Sequence, residues 1–225
     1  MVKACALIPA YNEAAHIADV VTGTKAYVTD VFVVDDGSAD DTSGQASAAG
    51  ATVLRHERNL GKGHAMRTGF ARVLSGPYTH VVLIDADLQH DPAEIPRLLA
   101  AAARGATLVI GERELVRDAM PGMRFHANVI GSRVLSWFIG SSVADTQSGF
   151  RVIACDLLRR VTLTGSGYEI ETEMLIKLAR AGARIDRVTV SRLRYEGVRS
   201  NIRPFRDTFR TCMLAVRYRF FSGRS

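Results

Sequence analysis

The chain has 225 residues, of which 47% are hydrophobic and 23% charged, and this suits one globular domain with a sizeable core better than two. Its formal charge of +6 comes mainly from arginine, since only four of the 29 basic residues are lysine; this favours an anionic ligand or surface, although a GC-rich coding bias would produce the same excess. A membrane-spanning helix is not expected, because no apolar run reaches roughly 18 residues. A disulfide or zinc framework is not expected, because the cysteines lack CxxC spacing. A nucleic-acid partner is not expected, because no groove-reading motif is present.

The first half of the chain alternates strand and helix patterns with short connections. Apolar runs and helical spacing predict strands over 4–8, 31–34, 52–54, 81–84 and 107–110, with helices over 13–22, 42–49, 63–74 and 95–103. This alternation predicts an α/β fold in which a doubly wound, mostly parallel sheet carries helices on both faces.

The pattern changes after Arg113. A helix with few charges is predicted over 120–139, followed by a loop and then by a strand over 150–154, a helix over 170–181 and a strand over 184–192. No linker or repeat interrupts the chain, so we expect one domain over residues 1–203 and a basic, amphipathic tail over 204–225. The tail would either pack on the domain or lie on an anionic membrane surface.

Polar residues follow the predicted strands at the points where those strands end. They lie at Pro9–Glu13, Asp35–Ser38, Asp85–Gln89 and Gly111–Arg113. In an open α/β sheet, ligands bind beyond the carboxyl ends of the strands. We therefore expect these four segments to form one site on one edge of the sheet.

Asp85 and Asp87 come directly after the apolar strand predicted over 81–84. If the chain stays extended there, side chains two residues apart point to the same side, and both carboxylates can address one divalent cation. Two other interpretations remain open, namely a pair of solvated loop aspartates and a helix cap before Pro92.

Five collinear motifs resemble those of the family 2 glycosyltransferases, and most of all the dolichol-phosphate mannose synthase and polyprenyl-phosphate glycosyltransferase group. The resemblance runs from Val2 to about Arg206, and its motifs are PAYNE at 9–13, VDDGS at 34–38, NLGKG at 59–63, DADLQ at 85–89 and DTQSGFR at 145–151. It implies a GT-A fold, a GDP- or UDP-sugar donor, a divalent metal and inversion at the anomeric carbon.

The resemblance also implies roles for residues around the donor. The segment with Pro9, Tyr11 and Glu13 would hold the nucleoside, and either Asp35 or Asp36 would accept hydrogen bonds from the base. The two acids could instead belong to a capped helix entry, and Glu13 could serve only the helix dipole. Lys62 and its flanking glycines would lie near the donor, unless Lys62 is a solvated lysine at a helix start. Arg199 and Arg203 would belong to a loop that closes over the donor phosphates.

For the metal, the resemblance implies Asp85, Asp87 and Gln89 as the binding group. Asp87 would be the direct ligand, and Gln89 would complete the shell or hold a water. Oxygen ligands indicate Mg²⁺ or Mn²⁺ rather than zinc. The ion would neutralise the donor diphosphate as a leaving group.

The sequence is compatible with two kinds of acceptor. A polyprenyl phosphate is already anionic and needs cations rather than a base. Arg113, Arg124 and Arg133 would bind it, the last two from a candidate membrane-interface helix over 120–140. Alternatively, these arginines extend to solvent. Asp145 would then have a positional role, or serve as a turn cap. A soluble hydroxyl acceptor would instead need a carboxylate base, with Asp145, Glu169 and Glu171 as candidates.

The sequence also bears on the cellular location and on the class of protein. The absence of a signal-peptide pattern at the start favours the cytoplasm, with peripheral attachment to the inner face of the cell membrane as an option. A nucleotide-binding module without catalysis is the least favoured class, because Asp85, Asp87 and Asp145 are all present.

Overall fold

The computed structural model describes residues 2–113 and 148–191, with the backbone alone at Arg113. In this part of the chain the strands are β1 (Ala4–Ala10), β2 (Val31–Asp35), β3 (Thr52–Arg55), β4 (His80–Leu83), β5 (Leu108–Arg113), β6 (Arg151–Ala154) and β7 (Ile185–Val190). The helices are α1 (Ile17–Lys25), α2 (Thr42–Ala48), α3 (Lys62–Leu74), α4 (Ile95–Ala103), α5 (Cys155–Leu158) and α6 (Glu169–Arg180), with a 3₁₀ turn at Pro92–Glu94.

All the strands of the described residues join one sheet in the order β3-β2-β1-β4-β6-β5-β7. Every neighbouring pair is parallel except those made by β6, which runs antiparallel to both β4 and β5. The predicted doubly wound, mostly parallel sheet is confirmed. The strand predicted over 150–154 is β6, and its antiparallel direction is a feature that the sequence pattern did not indicate.

The sheet is buried on both faces. Along β4, Val81 and Leu83 join one apolar cluster, while Val82 belongs to the cluster on the opposite face. Residues of α3, α5 and α6 complete the first cluster, and residues of α1, α2 and α4 complete the second. Strands covered on both faces need continuous apolar sequence, which is why these strands read as unbroken hydrophobic runs.

Several element boundaries differ from the prediction by a few residues, among them those of α1, β4 and β5. Helix α1 begins at Ile17 rather than at Glu13; residues 14–16 form a turn, and the N–H groups of Glu13 and Ala14 donate to the side chains of Thr42 and Asp40. Strand β4 ends at Leu83, one residue early. Strand β5 extends to Arg113, because its last residues pair with β7; Gly111 therefore lies inside the strand rather than beyond it.

Several predicted features lie outside the described residues. They are the helix over 120–139, residue 192 at the end of the strand predicted over 184–192, and the tail over 204–225. Among the helices of the described residues, none has the length and apolar character needed to cross a membrane.

Candidate active site

The predicted polar segments meet at one edge of the sheet. The carboxyl ends of β1, β2 and β4 lie side by side there, because these strands are parallel neighbours. Since β6 is antiparallel to β4, its amino end reaches the same edge, with Arg151 opposite Leu83. The edge therefore combines residues that are far apart in the sequence.

The loop after β1 is hydrogen-bonded to the loop after β2. Asn12 donates its backbone N–H to Ser38 Oγ at 2.8 Å, and its side-chain oxygen accepts from the Ala39 N–H at 2.8 Å. The Glu13 N–H donates to Thr42 Oγ1 at 2.8 Å. These contacts hold Asn12 at a φ of 56° and leave the neighbouring side chain of Tyr11 exposed.

Asp35 and Asp36 point to different parts of the fold. Asp35 is fully buried and accepts hydrogen bonds from the Ser38 N–H at 2.9 Å and from the Ser43 hydroxyl. Asp36 accepts from the backbone N–H groups of Leu60 and Gly61, at 3.0 and 2.7 Å, and from a histidine ring. Asp35 therefore fastens helix α2, whereas Asp36 fastens the loop that precedes α3.

Lys62 joins two carboxylates. Its ammonium lies 2.7 Å from Asp85 Oδ1 and 2.5 Å from Glu171 Oε1, with the Tyr168 ring centroid at 5.7 Å. Burial by itself lowers the pKa of Lys62, but the two carboxylates outweigh it, and the pKa lies well above its ordinary value. Lys62 is thus a permanently charged bridge between β4 and α6, and the interpretation as a solvated lysine is wrong.

The chain turns at residues 86–88 instead of staying extended, so the extended backbone on which the expected placement of the two carboxylates depended is not present. The turn places Leu88 at a φ of 57°. Asp87 accepts from the backbone N–H of Gln89 at 3.0 Å and from its side-chain amide at 2.7 Å. The pKa of Glu13 lies above its ordinary 4.5, chiefly because of burial. The charge of Asp87 also raises this pKa, while a hydrogen bond with His16 opposes the shift. Asp87 and Glu13 therefore repel each other across the β1 and β4 ends.

The donor set of this edge fits a hard divalent cation. Asp85 and Asp87 are half-buried carboxylates, and the repulsion that Glu13 feels from Asp87 is the kind that a cation relieves. No group of three or more His, Cys, Asp or Glu side chains in residues 2–113 and 148–191 is arranged as a metal site. Mg²⁺ is commonly bound by one or two carboxylates together with waters and substrate phosphates, and Asp85 and Asp87 can supply those carboxylates.

Gly61 and Gly63 have an internal reason to be glycine. A Cβ on either residue would overlap a carbonyl oxygen of the α5–α6 loop, Ser166 O for Gly61 and Gly165 O for Gly63. The Gly63 N–H donates to Ser166 O at 2.9 Å. The two glycines were expected to allow close backbone approach near the donor. In this structure they allow close approach of the chain's own α5–α6 loop, which brings Glu171 to Lys62.

Two residues at the start of β6 complete the edge. Gly149 lies against Asp85, since a Cβ there would overlap the carboxylate. Arg151 is fully buried; it donates to Ser148 O at 2.9 Å and to Glu171 O at 3.1 Å. Arg151 thereby ties the loop before β6 to helix α6.

The structure brings many of the predicted site residues to this edge but not all of them. Tyr11, Glu13, Asp36, Lys62, Asp85, Asp87 and Gln89 lie at or beyond the strand ends. Pro9 is buried inside β1, and Arg113 is the last residue of β5. Outside the described residues lie Arg124, Arg133, Asp145, Arg199 and Arg203.

Sequence reasoning missed three contributors to the edge. The Lys62–Glu171 pair joins residues more than a hundred positions apart, and Gly149 acquires its role only through the antiparallel placement of β6. His56 lies beside Asp36 because Asp35 pairs with Arg55 in the parallel β2–β3 ladder and the next residues are then adjacent, a register that the sequence alone does not give.

Comparison with known proteins identifies the family. Residues 5–163 match the model of the family described as "Glycosyl transferase family 2". The chain belongs to glycosyl transferase family 2. It is 33% identical over 209 residues to glycosyltransferase AglJ of Haloferax volcanii, with 90% of this chain and 67% of the relative covered. It is also 33% identical over 198 residues to undecaprenyl-phosphate mannosyltransferase of Micrococcus luteus, with 82% of this chain and 81% of the relative covered.

The fold of this family 2 glycosyltransferase is shared with solved enzymes. Glucosyl-3-phosphoglycerate synthase from Mycobacterium tuberculosis, in complex with Mn²⁺, UDP and glucosyl-3-phosphoglycerate, superimposes with a TM-score of 0.75 at 24% identity. The alignment covers 100% of this chain and 82% of that one. The expected GT-A fold and the expected enzyme class, a glycosyltransferase, are confirmed.

Proposed function

We propose that this glycosyltransferase moves a hexose, with inversion, from a nucleotide-diphosphate sugar to a polyprenyl phosphate in a reaction that uses Mg²⁺ or Mn²⁺. Two kinds of evidence support the proposal. The relative from Micrococcus luteus is named for transfer to undecaprenyl phosphate, and it is matched over most of its length. The solved synthase with Mn²⁺ and UDP has the same fold.

The donor base lies against Asp36 rather than Asp35. Asp35 is fully buried and its oxygens are directed to the α2 side, whereas Asp36 holds the loop carrying Leu60. Leu60 and Tyr11 are both 39% exposed. The Leu60 N–H donates to the Asp36 carboxylate, and the Asp36 N–H donates to the carbonyl oxygen of Ala10, the residue before Tyr11. Exposed flat and apolar side chains beside a buried acceptor are suited to stacking and reading a base.

Asp87, with Asp85, holds the metal at the donor diphosphate. When bound, the cation supplies Lewis-acid stabilisation of the leaving nucleotide. Gln89 keeps the Asp87 carboxylate in place through two hydrogen bonds, and Lys62 keeps Asp85 in place through its ion pair. Arg199 and Arg203 close over the phosphates.

The observation that carries the acceptor assignment is the engagement of Glu169 and Glu171, the two candidate bases on α6. Glu171 is paired with the protonated Lys62, and Glu169 accepts from the N–H groups of Ser166 and Gly167 at 3.1 and 2.9 Å. A carboxylate oxygen that is already engaged by an ammonium or by backbone N–H groups would have to give up those contacts to approach an acceptor hydroxyl. A sugar hydroxyl would need such a base, whereas a lipid phosphate already carries its negative charge.

The lipid acceptor is bound by arginines and by the membrane surface. Arg113, at the end of β5, acts with Arg124 and Arg133 on the phosphate. The basic tail over 204–225 places the enzyme at the anionic inner face of the membrane. Asp145 has a positional role near the acceptor.

A product assay tests this function. The protein is incubated with UDP- and GDP-sugars and Mn²⁺, and each reaction is offered a short polyprenyl phosphate, 3-phosphoglycerate or a free sugar. We expect a glycosylated polyprenyl phosphate, detected by mass spectrometry and abolished by a chelator. Transfer only to a soluble hydroxyl would reject the lipid acceptor and return Asp145 to the role of base. Absence of transfer to any acceptor, with nucleotide still bound, would point to the module without catalysis.

A further inference from the structure

The ring of His56 holds the carboxylate of Asp36. Its Nδ1 atom lies 2.7 Å from Asp36 Oδ1, its Nε2 atom lies 3.0 Å from the hydroxyl of Thr68, and only 12% of its side chain is exposed. His56 directly follows strand β3, and Thr68 belongs to helix α3. One buried ring thus connects β2, β3 and α3.

The hydrogen-bond partners determine the ring's proton arrangement. A carboxylate can only accept, so Nδ1 of His56 carries the hydrogen that Asp36 receives. In the neutral ring, Nε2 then accepts the hydroxyl hydrogen of Thr68. Because Thr68 sits on a packed helix, the ring is held in one orientation.

The donors around Asp36 use its acceptor positions unequally. Oδ1 receives two hydrogen bonds, from His56 Nδ1 and from the Leu60 N–H, while Oδ2 receives one, from the Gly61 N–H. A carboxylate offers about four acceptor positions, two on each oxygen. Within residues 2–113 and 148–191, one position remains, and it is on Oδ2.

We propose that His56, by filling Oδ1 of Asp36, makes this site select uracil over guanine in the donor nucleotide. Uracil presents one N–H between two carbonyl groups, which one acceptor position satisfies. Guanine presents two adjacent N–H donors, which need both oxygens of a carboxylate. Adenine and cytosine place an acceptor nitrogen at the centre of the same edge, and it would face the carboxylate. The inference rests on the proposed function, since it requires the nucleotide base to lie at Asp36.

His56 is a positioning residue, and two substitutions separate its effect on specificity from its effect on folding. In His56→Asn, the amide nitrogen can take the place of Nδ1 and still donate to Asp36, although the contact with Thr68 is lost. In His56→Leu, the donor is lost and Oδ1 gains an open position. A site that leaves a polar group unpaired discriminates against the ligand that causes it, so the two variants should differ in base preference.

The experiment is a calorimetric titration of UDP and GDP, with Mn²⁺ present, into the full chain and both variants. We expect the unsubstituted protein to bind UDP at least about tenfold more tightly than GDP, and His56→Asn to keep that ratio within about threefold. His56→Leu should lower the ratio by about tenfold, chiefly through improved relative binding of GDP.

The outcomes that would overturn the inference are distinct from those that would overturn the proposed function. Equal or tighter binding of GDP by the unsubstituted protein overturns the inference alone. So does an unchanged ratio in His56→Leu, since it would mean that the ring only supports the fold. If His56→Leu does not fold, as judged by circular dichroism, the unsubstituted protein and His56→Asn still decide. Binding of neither nucleotide in the presence of Mn²⁺ overturns the proposed function as well.

Discussion

Gly149 lies directly against the carboxylate of Asp85, so closely that a β-carbon on the glycine would overlap both carboxylate oxygens. The contact joins the start of β6 to the end of β4, two strands that are antiparallel neighbours. The same carboxylate is held from its other side by Lys62. Asp85 is therefore positioned by a steric boundary and by an ion pair.

Gly149→Ala should displace the Asp85 carboxylate while leaving the fold in place, because the clash is with the end of a side chain rather than with backbone. We expect transferase activity to fall by about tenfold to a hundredfold, since small misplacements at a site are costly. Steady-state kinetics measures the loss. Gly182→Ala is the control: nothing lies within 4 Å of a Cβ there, and its φ of 86° should cost only about 1 kcal/mol of stability. Equal activity of the two variants would contradict the prediction.

Lys62→Met should destabilise the protein by about 2–3 kcal/mol, because it leaves the carboxylates of Asp85 and Glu171 facing each other without a cation. The cost is at the low end for a broken buried pair, since 24% of the Asp85 side chain remains exposed. Urea unfolding gives the free energy. Adding Glu171→Gln to Lys62→Met removes one of the repelling charges and should recover about half of the loss. Additive destabilisation by the two substitutions would show that the three groups are not coupled.

Asp87→Asn should abolish metal-dependent nucleotide binding and reduce transfer by at least about a hundredfold, because the substitution removes charge from the proposed metal ligand. The amide keeps the size of the side chain and can still accept from Gln89. Asp91→Asn is the matched control, since Asp91 caps the nearby 3₁₀ turn by accepting from the Ala93 N–H. Calorimetry with UDP, with and without Mn²⁺, measures the effect, and metal-dependent binding by Asp87→Asn would refute the assignment.

Glu173 should make stability depend on pH in the acid range. Burial by itself raises the pKa of Glu173, but Lys177 and donors from Gly165 and Thr164 outweigh it, and the pKa lies below its ordinary 4.5. A lowered pKa in the folded state stabilises the protein above the unfolded value, and that stabilisation disappears as the pH falls through the folded value.

Compared with the unsubstituted protein, Glu173→Gln should therefore be less stable by about 2–3 kcal/mol at pH 7, and the difference should shrink as the pH falls from about 5 to 3. Urea unfolding across this range measures both proteins. A difference that stays constant with pH would mean that the charge of Glu173 contributes nothing.

Removal of residues 204–225 should weaken binding to vesicles that contain anionic lipid by at least about tenfold, because each basic residue near such a surface contributes about 1 kcal/mol. The tail carries Arg206, Arg210 and Arg217 between apolar residues at helical spacing. Vesicle co-sedimentation measures the effect, with vesicles of neutral lipid as the control. Unchanged partitioning would favour a tail that packs on the domain and a soluble acceptor.

The edge of the sheet that carries the site was predictable because parallel strands in alternation with helices all end on one side. This reasoning predicts correctly that Tyr11, Asp36 and Asp85 lie at the same edge. The helical pattern failed at Glu13–His16, where the chain forms a turn and the N–H groups of Glu13 and Ala14 donate to Thr42 and Asp40. A local sequence pattern does not show which distant residues become hydrogen-bond partners once the chain has folded.

The sequence by itself determined the alternation of strands and helices, the buried strands and the acids at their ends, since these depend on local hydrophobic pattern and on motif order. Only the tertiary structure decided how the acids are used. The antiparallel insertion of β6 brings Gly149 to Asp85, and the approach of the α5–α6 loop to Gly63 brings Glu171 to Lys62. Such contacts depend on strand direction and on backbone proximity, which one-dimensional spacing does not contain.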